Sequence, residues 1–423
     1  MYWGYGSMTA KAEWEPLKSV LMHRPGVEIE YAMLAPRPFL FERCFHTTAA
    51  RTEHKDLQDT LSHNGVKVQV LKDGVVKHAK DSSEFRKALE EEVVRNLIFY
   101  GEIGDTEKAR EEFKKNIETL DPENLFDFLT LEPSVDLKKT ENVQYPTIYS
   151  NVPLANLYFM RDQQITATEG IVVGNMKSLQ RRKETEITEF FLRRLSGNGT
   201  VKRIDSGFLE GGDYIPAGDF AIFGTGPRTD LQGVRSAVAT GSVDFDEICV
   251  VENPVYDFME GSKRDPMINM HVDTYFNIAG DGIAVGSRIL LEKARGAVYA
   301  LDGQKLERLR DTTLMKYIKE KGFNLLDLSI REQLSYSSNF LTLSDKKIVA
   351  VNSPLVLERL MKSGVFSQQL AGFIKSEQVN RGDEFPRGKR VAEFGIDVIE
   401  VELSELTGGY GGAHCMTASL QRG

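Results

Sequence analysis

A short apolar run, bounded by an acidic turn and a Gly or Asn, recurs along this chain and limits the fold more than any other feature. It appears at 169–175 (EGIVVGN), 219–224 (DFAIFG), 281–286 (DGIAVG) and 345–352 (DKKIVAVN), with starts 50, 62 and 64 residues apart. Runs of this length between turn residues predict buried strands, and their recurrence predicts one supersecondary unit used several times. A few residues before each run stands a polar cluster: Arg161 and Asp162, then Glu210 to Asp213, then His271 and Asp273, then Ser338 and Asn339. The implied unit is a hairpin whose first strand ends in polar residues. Stacked hairpins with helices between them would bring those ends to one place.

Helical signals agree with an α/β layout. Ile187, Phe190, Phe191 and Leu195 share one face, and Gly197 is placed to end that helix. Earlier, Asn64 and Gly65 precede the alternating Val66, Val68 and Val70, a strand pattern. Asp81 and Glu84 then resemble a capping box, and Phe85, Leu89, Val93, Leu97 and Ile98 continue as an amphipathic helix. From there to Pro146 the chain is charged, helix-prone and without strand-like runs. We read 81–146 as a helical insertion within a single domain over 1–423. A separate helical domain would want Pro, Gly or Ser-rich boundaries, which are missing.

Composition removes several function classes. With 41% hydrophobic and 27% charged residues the chain falls in the ordinary globular range. No apolar run approaches the roughly 20 residues that cross a bilayer, and MYWGYGSM at the start has neither the basic nor the apolar stretch of a signal peptide. A net charge of -9 gives no support to nucleic-acid binding. Three widely spaced cysteines, Cys44, Cys249 and Cys415, suit a reducing, cytoplasmic compartment.

Of the three thiols, Cys415 stands apart. It lies in GGYGGAHCMT, where four glycines in five positions predict a backbone able to take positive φ and approach a ligand closely. A thiolate is the most nucleophilic side chain near neutral pH, so Cys415 reads as a nucleophile, whereas Cys44 and Cys249 sit among apolar or aromatic neighbours and read as core. His414 adjoins the cysteine, but neighbouring side chains diverge and adjacency does not make it a base. In MHVDT, a strand would turn His271 and Asp273 to one face, an acid/base unit or half of a metal site. No CxxC or HExxH supports a metal. LEGGDY sets Glu210 and Asp213 around a glycine pair, and NLYFMRD ends in Arg161 and Asp162. Gathered carboxylates await a cation or protons, since each left unpaired in a buried place costs several kcal/mol. A guanidinium offers five donors that carboxylates can grip in pairs. Three acids, one histidine and one thiol therefore suggest covalent chemistry at a guanidine-like carbon.

Together SVLMHRPG, NLYFMRD, RRKE, EGGD, GPRTD, MHVDT and HCMT resemble, in order and over nearly the whole length, the arginine deiminases of the guanidine-modifying (pentein) superfamily. The resemblance implies an α/β fold: a five-bladed α/β propeller of pseudo-repeated ββαβ units with a helical insertion. It implies hydrolysis of L-arginine to L-citrulline and ammonia without metal or organic cofactor, on a small guanidino substrate, with no nucleic-acid or membrane partner and with room for a homo-oligomer. By matching motif, Cys415 is the nucleophile, His271 the acid/base, Asp162 and Asp273 the grip on the guanidinium, and Glu210 an aid to positioning and proton transfer. Asn156, Arg181 and Arg228 match residues that hold the substrate carboxylate, and Asp213 joins the substrate-binding set. Two positions depart from the family pattern: Tyr410 stands where the glycine loop carries arginine, and Met160 where a threonine precedes the Arg-Asp pair. Related chemistries are an arginine dihydrolase giving ornithine, an agmatine deiminase and an amidinotransferase; a non-catalytic binding scaffold is the alternative of another class.

Overall fold

Every one of the four apolar runs forms the second strand of an antiparallel hairpin. The pairs are Gln164–Ala167 with Gly170–Val173, Tyr214–Ala217 with Phe220–Thr225, Phe276–Gly280 with Ile283–Gly286, and Leu341–Ser344 with Lys347–Val351. The computed structural model describes residues 8–138, 146–196, 200–255, 269–377 and 383–423. After each hairpin the chain passes through helix and returns as a third strand parallel to the second: Val201–Arg203, Glu247–Glu252, Asn324–Asp327 and Asp397–Val401. The same arrangement is completed a further time from the two ends of the chain. Leu17–Met22 pairs antiparallel with Ala418–Arg422 and, after the helix Thr47–His63, parallel with Lys67–Val70. Among the described residues, five sheets thus contain the same ββαβ pattern.

The hairpin strands read as unbroken apolar runs because both faces are covered. Gly170–Val173 and Ile283–Gly286 are buried at every position, and the apolar side chains of the sheets and helices collect into five clusters. The polar clusters stand at the start of each first strand rather than at its end, so all open toward one side. Arg161 and Asp162 precede Gln164, and Ser338 and Asn339 precede Leu341.

Several local expectations change. The cap before the helix Ser83–Asn96 is Ser82, whose side chain accepts from Phe85 N; Asp81 instead ends a preceding helix, Leu71–Asp81. The segment up to Pro146 contains strands after all. Ile98–Tyr100 and Pro133–Asp136 pair parallel, and Thr147–Ser150 adds antiparallel. Strands of three or four residues are too short to show an apolar period. Gly197 lies outside the described residues. Cys249 is buried as expected, but Cys44 is exposed. A long charged hairpin, Arg295–Asp302 with Lys305–Thr313, extends the second unit's sheet from within the third unit.

Candidate active site

The polar strand tips meet at a narrow slot lined by Asn156, Asp162, Arg181, Arg228, His271 and Cys415, with Leu40 and Tyr410 among the other walls. Its free volume is about 10 Å³, room for about one water molecule.

Cys415 is buried, and its Sγ lies 3.1 Å from Asn339 Nδ2 and 3.4 Å from Asp273 Oδ2. Burial, followed by the charges of Asp273 and Asp162, pushes the thiol well above its ordinary pKa. Asn339 opposes that rise by donating to sulfur. The same amide fixes the loop: Oδ1 accepts from Gly412 N at 2.8 Å and Cys415 N at 3.1 Å, while Nδ2 also donates to Asp273 O at 3.0 Å. The glycines serve close approach rather than positive φ. A Cβ on Gly411 would stand 2.7 Å from Cys415 Cβ, and one on Gly409 would stand 2.2 Å from the Tyr158 hydroxyl. The left-handed residue in this loop is Tyr410, at φ 72°, and Leu40 across the slot has φ 65°. Each costs on the order of 1 kcal/mol for a residue with a side chain.

MHVDT is not a strand. His271 caps a 3-10 turn over Val272–Thr274, which sends its two ionisable side chains to different partners. His271 Nε2 bonds Glu210 Oε2 at 3.0 Å, and Nδ1 lies 3.7 Å from Asp162 Oδ1. Burial works against the imidazolium, but Asp162, Asp213 and Glu210 together lift its pKa to about 9. Asp273 turns instead to His414 Nδ1, at 2.8 Å, and to the thiol. The glycine pair of EGGD is what lets these groups meet: a Cβ on Gly212 would stand 2.6 Å from His271 Nδ1 and 3.1 Å from Asp273 Oδ1. Burial raises the Glu210 pKa, yet His271, Arg228 and Arg181 outweigh it and hold the carboxyl well below its usual range.

Glu210, Asp213 and Asp273 stand behind the slot's walls rather than among them, with Asp213 set back behind the His271 turn. Asp213 Oδ1 accepts from Asn253 Nδ2 at 2.8 Å and Val272 N at 3.1 Å, so it anchors the His271 turn from behind. Burial raises its pKa to about 6. Arg181 is buried while Arg182 is exposed, which decides which arginine of RRKE faces the site. Its guanidinium is already engaged: Nε and Nη2 reach Glu184, Nη2 also Asn156 O, and Nη1 Asp162 Oδ2 at 2.7 Å. Its Nη1 also lies 3.8 Å from Glu210 Oε2, so three carboxylates surround the guanidinium. Asn156 donates its amide to Phe39 O at 2.7 Å, and Arg228 bonds Ser178 Oγ and lies 3.9 Å from Glu210 Oε1. Met160 is core.

Asp162 Oδ1, Glu210 Oε1 and Asp273 Oδ1 are buried and make no hydrogen bond among the described residues. Buried acceptors without donors mark a place for a cationic ligand. Asp162, Glu210 and His271 also have the mutual spacing of three ligands to one metal ion, all within 4.8 Å, so geometry alone admits either cation. The sequence alone gives no role to Asn339, Glu184 or Glu13: the side-chain partners of Asn339 lie 66 to 76 positions away, and Glu13 meets Arg161 and Arg422 across 148 and 409 positions.

The arginine deiminase family model matches residues 37–422. The chain belongs to the arginine deiminase family. It is 26% identical to the arginine deiminase of Halobacterium salinarum, over 98% of this chain and 96% of that one. It is also 26% identical to the arginine deiminase of Treponema denticola, over 96% of each. Among solved structures, a dimethylarginine dimethylaminohydrolase adduct matches with TM-score 0.50 at 14% identity, covering 95% of this chain and 99% of that one. An amidinotransferase from Microseira wollei matches with TM-score 0.50 at 11% identity, covering 98% and 97%. This arginine deiminase family member is an amidine-hydrolysing enzyme of the pentein fold. No helix among its described residues is long and apolar enough to cross a membrane.

Proposed function

We propose that the protein hydrolyses the guanidinium of L-arginine to L-citrulline and ammonia, in the cytoplasm, through a covalent intermediate at Cys415. On this reading the five ββαβ units close as a five-bladed propeller around the slot. The observation that carries it is the set of three donor-less carboxylate oxygens, on Asp162, Glu210 and Asp273, beside a buried thiol.

Asp162 Oδ1 and Asp273 Oδ1 take the guanidinium N–H groups. The entering cation offsets the carboxylates that keep the thiol neutral, and its proton leaves to solvent. Cys415 sulfur then bonds to the guanidinium carbon. His271 presents Nδ1 to the slot while Nε2 stays on Glu210, so Nδ1 gives a proton to the departing ammonia as the C–N bond breaks. The neutral ring takes a proton from water, whose oxygen attacks the S-alkylthiouronium carbon. Loss of the thiolate leaves citrulline. Incubation with arginine, agmatine and citrulline, scoring ammonia, citrulline and ornithine, tests this; a protein that turns over no guanidino compound would sink the reading.

One observation favours a second substrate. Arg181 is taken up by Glu184, Asp162 and Glu210, and Tyr410 is a neutral phenol where the family carries arginine, so the grip on a substrate carboxylate falls mainly to Arg228 in the slot's wall. Agmatine, which lacks that carboxylate, gives up only that contact and is the second substrate to test. Tyr410→Arg is expected to lower KM for arginine by about tenfold, the worth of one charge-assisted hydrogen bond, and to leave KM for agmatine unchanged. Steady-state kinetics on both substrates checks it, and an unchanged arginine KM would give the phenol a role of its own.

A further inference from the structure

Behind the slot, Asp273 leads into a buried chain of ionisable groups, His414, Glu13, Arg422 and Arg161, that the proposed chemistry does not use. Asp273 Oδ2 bonds His414 Nδ1 at 2.8 Å, and the other ring nitrogen, Nε2, faces Glu13 Oε1 at 3.5 Å. Glu13 also holds Arg422 at 2.7 Å and faces Arg161 at 3.5 Å. All these side chains are buried. Glu13 precedes the residues matched by the family model, which begin at 37. It reaches the interior because its backbone pairs with the second unit, Glu13 N donating to Pro216 O at 3.0 Å.

Burial works against ionised Glu13, but Arg422, Arg161 and His414 outweigh it and keep the carboxyl far below its usual range. The imidazole therefore sits between two carboxylates, hydrogen-bonded to Asp273 through Nδ1 and facing the charge of Glu13 through Nε2. The two Asp273 oxygens have different surroundings: Oδ2 meets His414 and the thiol, while Oδ1 is buried, makes no hydrogen bond among the described residues and, on the proposed chemistry, takes the substrate. A rotation of its carboxylate would misplace both at once.

We infer that His414, anchored by Glu13, is a positioning residue that fixes the Asp273 carboxylate so that one oxygen faces Cys415 sulfur and the other faces the guanidinium. The inference rests on the proposed chemistry at Cys415, and its test does not need turnover. Cys415 is alkylated by 2-chloroacetamidine and by neutral 2-chloroacetamide. In both, sulfur bonds to the methylene carbon, chloride leaves and the thiol proton passes to solvent. The amidinium reagent is gripped by the carboxylates and the amide is not, so the ratio of the two rates, followed by intact mass of the full chain, reads the alignment of Asp273. A residue serving only stability leaves that ratio alone.

His414→Leu, similar in volume but without a donor, is expected to lower the ratio at least tenfold. His414→Asn, whose amide can stand in for Nδ1 toward Asp273, is expected to keep it within threefold of the parent. A ratio unchanged in His414→Leu overturns the inference, as does an equal fall in both variants. Should the leucine variant not fold, Glu13→Gln reads the anchor: a fall of at least threefold supports it and an unchanged ratio overturns it. Absence of turnover in the parent would count against the proposed function and leave this ratio to be read.

Discussion

Cys415→Ala is expected to lower kcat/KM for the preferred guanidino substrate by roughly 10⁴-fold or more, the scale seen when a covalent nucleophile is removed. The expectation follows from the surroundings of the sulfur as well as its identity. Among the described residues Cys415 is the thiol that lines the slot, whereas Cys249 is packed inside a sheet and Cys44 lies at the surface. Burial and two carboxylates favour the neutral thiol, and a cation between those carboxylates would offset them. A slow substrate should therefore leave an adduct on Cys415 in the parent and none in the alanine variant. Intact-mass spectra after rapid quenching decide it; an alanine variant that retains turnover would end the covalent mechanism.

The second large effect belongs to His271. His271→Asn is expected to reduce kcat by about 10²- to 10⁴-fold, the range for a lost general acid/base, because the ring serves both the departing ammonia and the attacking water. The acidic step needs the imidazolium. Three carboxylates raise its pKa to about 9, so the charged form is present below that pH and is lost as pH rises through it. In the parent, kcat/KM should therefore hold through neutral pH and fall about tenfold per unit above about 9. Asp213→Asn removes one of those carboxylates without altering the slot's lining, and should move the fall to lower pH. A pH profile that is identical in the two proteins would show that another group sets the limb.

The hairpins were legible because their residues answer to local rules: 283–286 is buried on every side and bounded by turns, so it could only be apolar. The meeting of Asp162, Glu210, His271 and Asp273 was legible through the repeat, which sets a polar tip in each of those units; Cys415 was singled out by its glycine loop instead. What was not legible depends on tertiary partners. Tyr410 takes the left-handed backbone that the neighbouring glycines seemed made for, because those glycines are needed for close contacts with Tyr158, Phe159, Asn339 and Cys415. The partners of His271 and Asp273 diverged because a 3-10 turn, not a strand, holds them. Asn339 was visible as a polar tip, but its four bonds around the nucleophile loop could not be read from sequence. The hairpin 295–313 escaped notice because its outer strand is mostly exposed and charged, and so lacks an apolar signature.

The unit that carries Cys415 is the one assembled from both ends of the chain, and its closing contacts join residues as much as 409 positions apart. Loop-closure entropy makes such long-range pairing slow compared with the local hairpins. The other four units can form from contiguous stretches, but the seam between Leu17–Met22 and Ala418–Arg422 needs both ends of the chain together. Regain of activity on refolding should consequently lag behind the far-ultraviolet signal of the sheets. A chain with its seam still open would be nearly complete in secondary structure and unable to attack anything, so its sulfur is kept from reaction until the scaffold around it is finished.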